Sequence, residues 1–392
     1  MRYQKFKADY LFTGNELLDN KKILIIDEYG KIIEIIGEEE AGENVQGYKG
    51  IISPGFINAH CHLELSHLKD KVPEKTGLVD FVFTVVSQRH SEEEEILQSI
   101  GNSEGEMIRN GIVAVGDICN NSLTIAQKIK RNLLYYNFIE TSGWLPEIAS
   151  FRFEKSTEIL QQFENNKLTA SIVPHAPYSV SENLWGKMKK SFSGKTITIH
   201  NQESPDEDIF FKEGKGAFVK MFEKMKIDNT FYKAKKIGSV VNYFKHLSDA
   251  SSVILVHNTF TTQEDIHYIN QQKRRNQLIS FCLCPNANLY IENTLPPVDL
   301  FVENDVNIIL GTDSLASNHQ LNILEEIKSI QKKYPQIETE TFLKWATLNG
   351  AKALQMSDKI GSFEKGKKPG VILIENISEG NITNESKIKK LK

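Results

Sequence analysis

The chain has 392 residues, which suits an α/β barrel with a small additional domain better than a single compact core. Hydrophobic residues make up 40% of the chain and charged residues 25%, which excludes general disorder. The 47 basic and 51 acidic residues give a net charge of −4 with no dominant basic face, so nucleic acid is not an expected partner.

The sequence also bears on the compartment of the protein. Residues 1–5 lack the apolar segment of a signal peptide, and no run approaches the ~20 apolar residues that cross a membrane. We therefore expect a cytoplasmic protein without a membrane partner. Four cysteines in so long a chain do not suggest a disulfide framework; they are Cys61, Cys119, Cys282 and Cys284.

Residues 1–50 are predicted to form the first part of a small β domain. Apolar runs over 22–27 and 32–37 flank the turn residues 28–31, and residues 9–15 also end in a turn. Short strands with hairpin turns between them follow from this pattern.

Residues 51–357 are predicted to form a barrel of parallel βα units. Apolar, β-branched runs alternate here with longer charged amphipathic segments. Eight such repeats favour a closed (β/α)8 TIM-type barrel over an open sheet, and no Gly-x-Gly-x-x-Gly follows the first strand to indicate a dinucleotide fold. The predicted strands are 51–58, 112–118, 133–139, 170–173, 196–199, 253–256, 278–283 and 307–310, and the predicted helices include 92–110, 182–190, 321–333 and 340–355.

Residues 358–392 are predicted to complete the small β domain. A turn-rich segment over 361–367 leads into an apolar strand over 371–374 that has no helix of its own. We expect this strand to pair with the N-terminal strands, so that both chain ends build one domain. The lysine-rich end, 387–392, is predicted to be a frayed, solvated tail.

Candidate functional side chains follow the ends of the predicted barrel strands. Barrel enzymes build their active sites at the C-terminal ends of the strands, so these side chains are expected to converge in one mouth. They are His60 and His62 after the first strand, His175 after the fourth, His200 after the fifth, His257 after the sixth and Asp313 after the eighth.

Four of these residues have the composition of a metal site. His60 and His62 are two residues apart on extended backbone, so their side chains point the same way while Cys61 faces elsewhere. Adding His200 and Asp313 gives three imidazoles and one carboxylate. This donor set suits one Zn²⁺, with Fe²⁺ or Mn²⁺ as alternatives, and leaves a position open for water.

The other histidines carry less information. His67, His90, His246 and His267 lie on helix-like or polar segments and are interpreted as surface or structural residues. His319 lies in the strand-end loop beyond Asp313, so a contact with substrate is a further hypothesis for it.

Six short segments and a closing one form a recognisable set, and they are 54–62, 173–179, 200–203, 255–257, 284–289 and 311–317, with 361–366 as the closing segment. Together they resemble the amidohydrolase superfamily, in particular its deaminase branch related to chlorohydrolases and methylthioadenosine/S-adenosylhomocysteine deaminases. The run from His62 to Ser66 is similar to some aminodeoxyfutalosine deaminases.

The resemblance implies a barrel with a composite β-sandwich built from both termini. It also implies metal binding by His60, His62, His200 and Asp313. At two positions the sequence differs from the usual motifs of the family. These differences indicate a divergent subgroup, so the substrate of better-matching members cannot be assigned to this chain. Ala287 stands where the family often has serine, and residues 366–370 replace a frequent Asp-Ala-Asp form.

By the same resemblance, Glu203 matches the proton-shuttling acid and His257 matches a histidine that orients the metal-bound water. His175 ends the fourth strand where two-metal relatives usually have a lysine, which favours a single metal ion with His175 facing the substrate. The further substrate-binding candidates are Tyr178, Trp144 and Arg152, with Phe81, Phe83 and Arg89 as possible lining residues.

These residue types suit hydrolysis of a C–N bond on an aromatic ring. A metal ion lowers the pKa of bound water from 15.7 to about 7, which supplies a nucleophile at neutral pH. Asp313 would take the proton of the water, Glu203 would protonate a ring nitrogen and then the amine, and His257 would hold the attacking oxygen.

The expected partner is a small-molecule substrate, and a homodimer is left open. The segment 175–178 favours a 6-aminopurine nucleoside derivative. Guanine or pterin bases, formimino compounds and cyclic amides or dipeptides remain alternative substrates. A non-catalytic ligand-binding barrel is an alternative of another class, although it predicts that one or more of the metal-binding side chains would be absent. The cytidine-deaminase class requires Pro-Cys-x-x-Cys, which residues 282–285 do not match.

Overall fold

The computed structural model describes residues 3–392, in which short strands at both chain ends flank a long run of alternating strands and helices. The strands are β1 (Tyr3–Lys7), β2 (Tyr10–Phe12), β3 (Leu17–Leu18), β4 (Lys22–Asp27), β5 (Ile32–Gly37), β6 (Val45–Gly47), β7 (Ile51–Ser53), β8 (Phe56–Cys61), β9 (Ile112–Cys119), β10 (Leu134–Thr141), β11 (Ala170–Pro174), β12 (Thr196–Asn201), β13 (Ser252–His257), β14 (Leu278–Leu283), β15 (Asn307–Leu310), β16 (Ile372–Glu375) and β17 (Lys387–Lys390). The α-helices are α1 (Leu78–Gln88), α2 (Glu93–Arg109), α3 (Ile125–Lys128), α4 (Ala149–Asn165), α5 (Glu182–Met188), α6 (Asp206–Glu213), α7 (Ala217–Lys224), α8 (Ser239–Tyr243), α9 (Gln263–Gln272), α10 (Pro285–Glu292), α11 (Val298–Glu303), α12 (Ile323–Lys333), α13 (Thr339–Lys344) and α14 (Gly350–Ala353).

Strands β8 to β15 form two four-stranded sheets in which all neighbours are parallel. One sheet contains β8, β9, β10 and β11 in chain order, and the other contains β12, β13, β14 and β15. Every residue of β8, β12 and β13 is buried, as expected for parallel strands that are covered on both faces. The α/β class with parallel strands, predicted from the sequence, is confirmed.

Backbone hydrogen bonds also connect the two parallel sheets at both of their edges. The N–H of His200, in β12, donates to the carbonyl of His175, directly after β11, at 3.0 Å. At the other edge, the N–H groups of Thr312 and Asp313 each donate to the carbonyl of His60 at 3.1 Å. These contacts bring the carboxyl ends of strands from both sheets close together.

Strands from both chain ends share a five-stranded sheet of order β17-β16-β7-β2-β3. Strand β16 pairs antiparallel with β7 and with β17, while β2 pairs parallel with β7. A second sheet has the order β5-β4-β1-β6. One apolar cluster contains Phe6 and Leu24 of the second sheet together with Ile52 and Leu373 of the first, so the two sheets share a core.

The predicted strand over 51–58 is divided in the structure into two strands. Strand β7 belongs to the five-stranded sheet and β8 to the first parallel sheet. Pro54 has no N–H to donate to a ladder, and the N–H of Gly55 donates to the carbonyl of Pro369 at 3.1 Å. A Cβ at Gly55 would lie 2.3 Å from Cγ1 of Val113. The chain therefore changes sheets at a point where no side chain fits.

The prediction of a frayed tail over 387–392 is wrong. Strand β17 pairs antiparallel with β16 along its whole length. Ile388 packs against the main hydrophobic core. Leu391 packs against the apolar cluster that is shared by the two sheets built from the chain ends. Ile388 and Leu391 are three positions apart, so the segment lacks the period-two pattern of a half-buried strand, and its four lysines favour a solvated tail.

The predicted helices over 92–110, 182–190 and 321–333 correspond to α2, α5 and α12 with small shifts at their ends. The predicted helix over 340–355 is interrupted, because a π-helical segment, Trp345–Asn349, joins α13 to α14. No helix within residues 3–392 combines the length and the apolar character needed to cross a membrane.

Candidate active site

Two histidines at the end of β8 point into a common space. His60 lies in β8 and His62 directly follows that strand, and both are buried. Because alternate side chains of an extended strand lie on the same side, the two rings meet, with their Nε2 atoms 3.2 Å apart. Burial lowers the pKa of His62, so its ring is neutral, which is the form that binds a cation.

A third histidine reaches the same space from the other parallel sheet. The Nε2 atom of His200, in β12, lies 3.3 Å from Nε2 of His62. Its Nδ1 donates to the carbonyl of His175 at 2.8 Å, which leaves a lone pair on Nε2 that faces the other two rings. Burial lowers the pKa of His200 well below its ordinary value, and the nearby His175 lowers it further.

Asp313 completes the cluster from the loop after β15. Its Oδ1 lies 3.6 Å from Nε2 of His60 and 3.5 Å from Nε2 of His62. The hydroxyl of Ser317 donates to the other carboxylate oxygen at 2.7 Å, which fixes the orientation of the carboxylate. Burial acts to raise the pKa of Asp313, but the neighbouring histidine rings outweigh it and hold the pKa well below its usual range.

The spacing of these four atoms fits one divalent cation. Two ligands bound tetrahedrally at about 2.0–2.1 Å from a zinc ion lie ~3.3 Å from each other. Four of the six separations among the atoms of His60, His62, His200 and Asp313 are 3.2, 3.3, 3.5 and 3.6 Å, and the three histidines form one group whose ligand atoms all lie within 4.8 Å of one another. Three nitrogens and one oxygen are the donor set that Zn²⁺ prefers, and Fe²⁺ and Mn²⁺ also accept it.

A carboxyl group and a further imidazole lie beside this cluster. His257 ends β13, and its Nε2 lies 3.5 Å from Oε1 of Glu203. Burial, and next the negative charge of Asp313, raise the pKa of Glu203 well above its ordinary value. Burial lowers the pKa of His257 to about 3. The contact is therefore between a protonated carboxyl and a neutral imidazole, and the carboxyl has a proton to donate at neutral pH.

His175 pairs with an acid that the sequence analysis did not identify. Its Nδ1 lies 2.9 Å from Oε1 of Glu140, at the end of β10. Burial acts to raise the pKa of Glu140, but the adjacent His175 holds it below its usual range, while Glu140 in turn raises the pKa of His175. Glu140, His175 and His200 also lie close enough to suggest a second cation site. The Nδ1 of His200 already donates a hydrogen bond, however, and has no lone pair for an ion.

The ionisable side chains described above, except His60, line one cleft of about 170 Å³. Tyr178, a predicted substrate-binding residue, lines the cleft together with Phe81 and Arg89, which were predicted as lining residues. Trp144 and Arg152 do not; they line an adjoining chamber of about 480 Å³ that shares Glu140, His175 and Tyr178 with the cleft.

Two of the lining candidates lie outside both spaces. Phe83 has its ring 3.8 Å below Nζ of Lys224 and lines neither the cleft nor the chamber. His319 is exposed, with its Nε2 3.3 Å from Oε1 of Glu74, and it lines neither space, so its contact with substrate stays a hypothesis. The periodicity of a sequence predicts helices and strands. It does not show whether a side chain on a helix, such as Phe83, or in a loop, such as His319, points toward the active-site cleft.

Most of this chain matches one known protein family. Residues 51–391 match the model of the amidohydrolase family. The chain belongs to the amidohydrolase family. The resemblance to this family that the sequence motifs carry is thereby confirmed, and the match covers both parallel sheets and the C-terminal strands.

Amidohydrolases with similar sequences include several deaminases. The chain is 27% identical over 381 residues to 5-methylthioadenosine/S-adenosylhomocysteine deaminase of Thermoanaerobacter pseudethanolicus, covering 92% of this chain and 81% of that protein. It is 25% identical to 5'-deoxyadenosine deaminase of Methanococcus vannielii, covering 98% and 86%.

Solved amidohydrolase structures share the fold. Aminofutalosine deaminase of Helicobacter pylori, in complex with methylthio-coformycin, superposes with a TM-score of 0.79 at 22% identity, covering 97% of this chain and 93% of that one. An adenosine deaminase of Xanthomonas campestris with bound zinc gives a TM-score of 0.70 at 18% identity, covering 95% and 84%.

Five polar residues of the amidohydrolase cleft are not among those predicted from the sequence, and three of them carry a carboxylate or an amide. Glu64, Asn120 and Glu140 all line it. Glu140 and Asn120 follow apolar runs at the ends of β10 and β9, the same signal that identified the histidines. Single acids and amides at strand ends are too common to stand out, whereas repeated histidines are not.

Proposed function

We propose that this amidohydrolase is a zinc-dependent deaminase of 6-aminopurine nucleosides that carry a substituent on the sugar. The observation that carries the proposal is the convergence of three Nε2 atoms and the Asp313 carboxylate beside the buried, protonated Glu203. A non-catalytic barrel would not need a protonated acid held next to a complete set of ligands. We further propose that β8 to β15 form one closed barrel within residues 51–357, with a β-sandwich built from residues 1–50 and 358–392.

In this proposal His60, His62, His200 and Asp313 hold the ion, and His257, Glu203 and Asp313 act on the reactants. When bound, the ion supplies a water molecule of lowered pKa at neutral pH. Asp313, kept ionised by the surrounding rings, accepts a proton from the attacking water on a carboxylate oxygen.

Glu203 supplies the proton that makes the ring electrophilic. Its carboxyl is protonated because it is buried, and it donates to a ring nitrogen of the base. The same carboxylate, after it loses that proton, can collect the proton from Asp313 and deliver it to the departing ammonia, and the hydroxyl proton of the addition product returns to Glu203 as the ring carbonyl forms. His257, a neutral ring 3.5 Å away, is placed to hold the attacking oxygen by a hydrogen bond.

The shape of the site favours a nucleoside over a free base. Ligand pockets usually enclose about 300–1,000 Å³, and the cleft alone is smaller than that. The adjoining chamber, lined by Trp144 and Arg152, provides the additional room. With the base beside Glu203, a sugar next to His175 would direct its substituent into this chamber. The deaminase names of the sequence relatives agree with such a substrate class.

Ammonia release from a panel of compounds tests the proposal. Adenosine, 5'-deoxyadenosine, 5-methylthioadenosine and S-adenosylhomocysteine are compared with adenine, guanine and a cyclic amide, using zinc-loaded protein. We expect turnover of the nucleosides, with substituted nucleosides preferred over adenine by at least ten-fold in kcat/KM. Turnover of the amide or of guanine alone would reject the proposed class.

A further inference from the structure

A buried ion pair lies outside the cleft, beneath the strand ends. Asp117, in β9, accepts a hydrogen bond from Nζ of Lys128, in α3, and both side chains are fully buried. The Sγ atom of Cys119 lies 3.2 Å from Nζ, and the ring centres of Tyr135 and Phe163 lie 5.1 and 5.2 Å from it. Neither member of the pair lines the cleft or the adjoining chamber.

Stability alone does not explain this pair. Removing two charges from water is costly, and apolar residues of similar volume often stabilise a protein as well or better. Two aromatic rings and a cysteine also lie beside Lys128, so apolar residues could fill the same space. A buried pair that is kept in such a place is better explained by what else its members contact.

The second oxygen of Asp117 contacts the segment that carries the candidate metal ligands. Its Oδ1 accepts from the N–H of Leu63 at 2.9 Å, and Leu63 directly follows His62. The backbone of His62, at φ −115° and ψ 76°, belongs neither to the strand before it nor to the 3-10 turn after it. The carbonyl of the peptide between His62 and Leu63 accepts from the N–H of Leu65 at 3.0 Å, within the turn, whereas the N–H of that peptide is held by Asp117.

A second hydrogen bond ties the same segment to the same strand. The N–H of Asn120, directly after β9, donates to the carboxylate of Glu64 at 3.2 and 3.1 Å from its two oxygens. Two successive residues after His62 are thus attached to the end of β9. The attachment at Asp117 is the one that the buried lysine holds in place.

We infer that Lys128 and Asp117 are positioning residues that set the direction of the His62 ring in the metal site. Lys128 engages one carboxylate oxygen, so the other is aimed at the N–H of Leu63, and the peptide in turn sets the ring. Contacts of this kind, one step removed from the ligands, commonly change metal affinity by about 10- to 100-fold. The inference rests on the proposed role of His62 as a ligand.

Two double variants separate positioning from stability. Lys128→Met with Asp117→Asn removes both charges but keeps an oxygen that can accept from Leu63. Lys128→Met with Asp117→Leu removes the charges and the acceptor together. Each full-length protein is loaded with Zn²⁺, and zinc release to a chromogenic chelator is measured, together with the visible spectrum of the Co²⁺ form and the thermal midpoint of the metal-free protein.

We expect the asparagine variant to release zinc within about three-fold of the wild-type rate, and the leucine variant to release it at least ten-fold faster with an altered Co²⁺ spectrum. Equal zinc retention by both variants, or equal loss by both, would overturn the inference. If the leucine variant does not fold, Asp117→Ala with Lys128→Met removes the same acceptor. A wild-type protein that retains no zinc would instead refute the proposed metal site itself.

Discussion

Single residues decide the chemistry of this site through their surroundings. Glu203 and Glu207 lie four positions apart and both are buried, but they differ in what they contact. Glu207 accepts from the N–H of Gln202 at 3.1 Å and from the hydroxyl of Ser239 at 2.5 Å, away from the cleft. Glu203 opens into the cleft beside His257. Glu207 thus holds the segment in place, whereas Glu203 is the acid that we propose for proton transfer.

Glu203→Gln should lower kcat by about 10²- to 10⁴-fold, because the amide has no acidic proton to give to the ring. Zinc content and the thermal midpoint should stay close to those of the wild type, since the amide fills the same space. Glu207→Gln is the matched control and should retain most of the activity. Comparable loss of kcat in both variants would argue against a specific role for Glu203.

The protonation of Glu203 also predicts the dependence of activity on pH. Its pKa is raised, so the carboxyl stays protonated well above the ordinary value of 4.5 and loses its proton only as the pH rises through the raised value. We expect kcat/KM to be maintained through neutral pH and to fall in alkaline solution. A decline that begins near pH 4.5 and continues upward would show that Glu203 titrates as an ordinary carboxyl group.

At the scale of single residues, the sequence predicted which histidines gather but not their partners. His60, His62 and His200 stood out because histidine is uncommon and each follows a buried strand. Glu140 follows a strand in the same way, but the contact that reveals it, 2.9 Å to His175, joins residues far apart in the chain. Such pairings depend on side-chain direction, which sequence spacing does not report.

At the scale of elements, apolar runs in the sequence predicted most of the strands correctly. The errors lie where the chain passes from one sheet to another or pairs with a strand that is distant in sequence. Strands β4 and β5 coincide with the predicted runs over 22–27 and 32–37. The run over 51–58 was predicted as one strand because its apolar character is continuous through Pro54 and Gly55. The tail over 387–392 was missed because the partner strand β16, which orders it, is not visible in its own composition.

Gly55→Ala should destabilise the protein by about 1–3 kcal/mol, because the new Cβ would overlap Val113 and the carbonyl of Pro369. Gly186→Ala is the control: it lies in α5 with no atom within 4 Å of the added Cβ, and alanine is the better helix former. Thermal unfolding should show a lower midpoint for the first variant and an equal or higher one for the second. A first variant as stable as the wild type would mean that the link between β7 and β8 is not tightly packed.

At the scale of the whole molecule, the candidate site depends on strands that are distant in sequence meeting at their carboxyl ends. The ligand candidates come from β8, β12 and the loop after β15, and hydrogen bonds between the two parallel sheets bring them together. The sequence predicted this convergence because parallel βα repeats leave few alternatives. It did not predict the adjoining chamber, which is formed by helices and loops whose packing has no short-range signal.

His60, His62, His200 and Asp313 are proposed to bind a single divalent ion. The sharpest test is anomalous scattering from a crystal of the zinc-loaded protein, recorded on both sides of the zinc absorption edge. We expect one strong peak, about 2.0–2.2 Å from Nε2 of each histidine and from Oδ1 of Asp313. A crystal without a peak among these atoms, or with the peak at other residues, would contradict it.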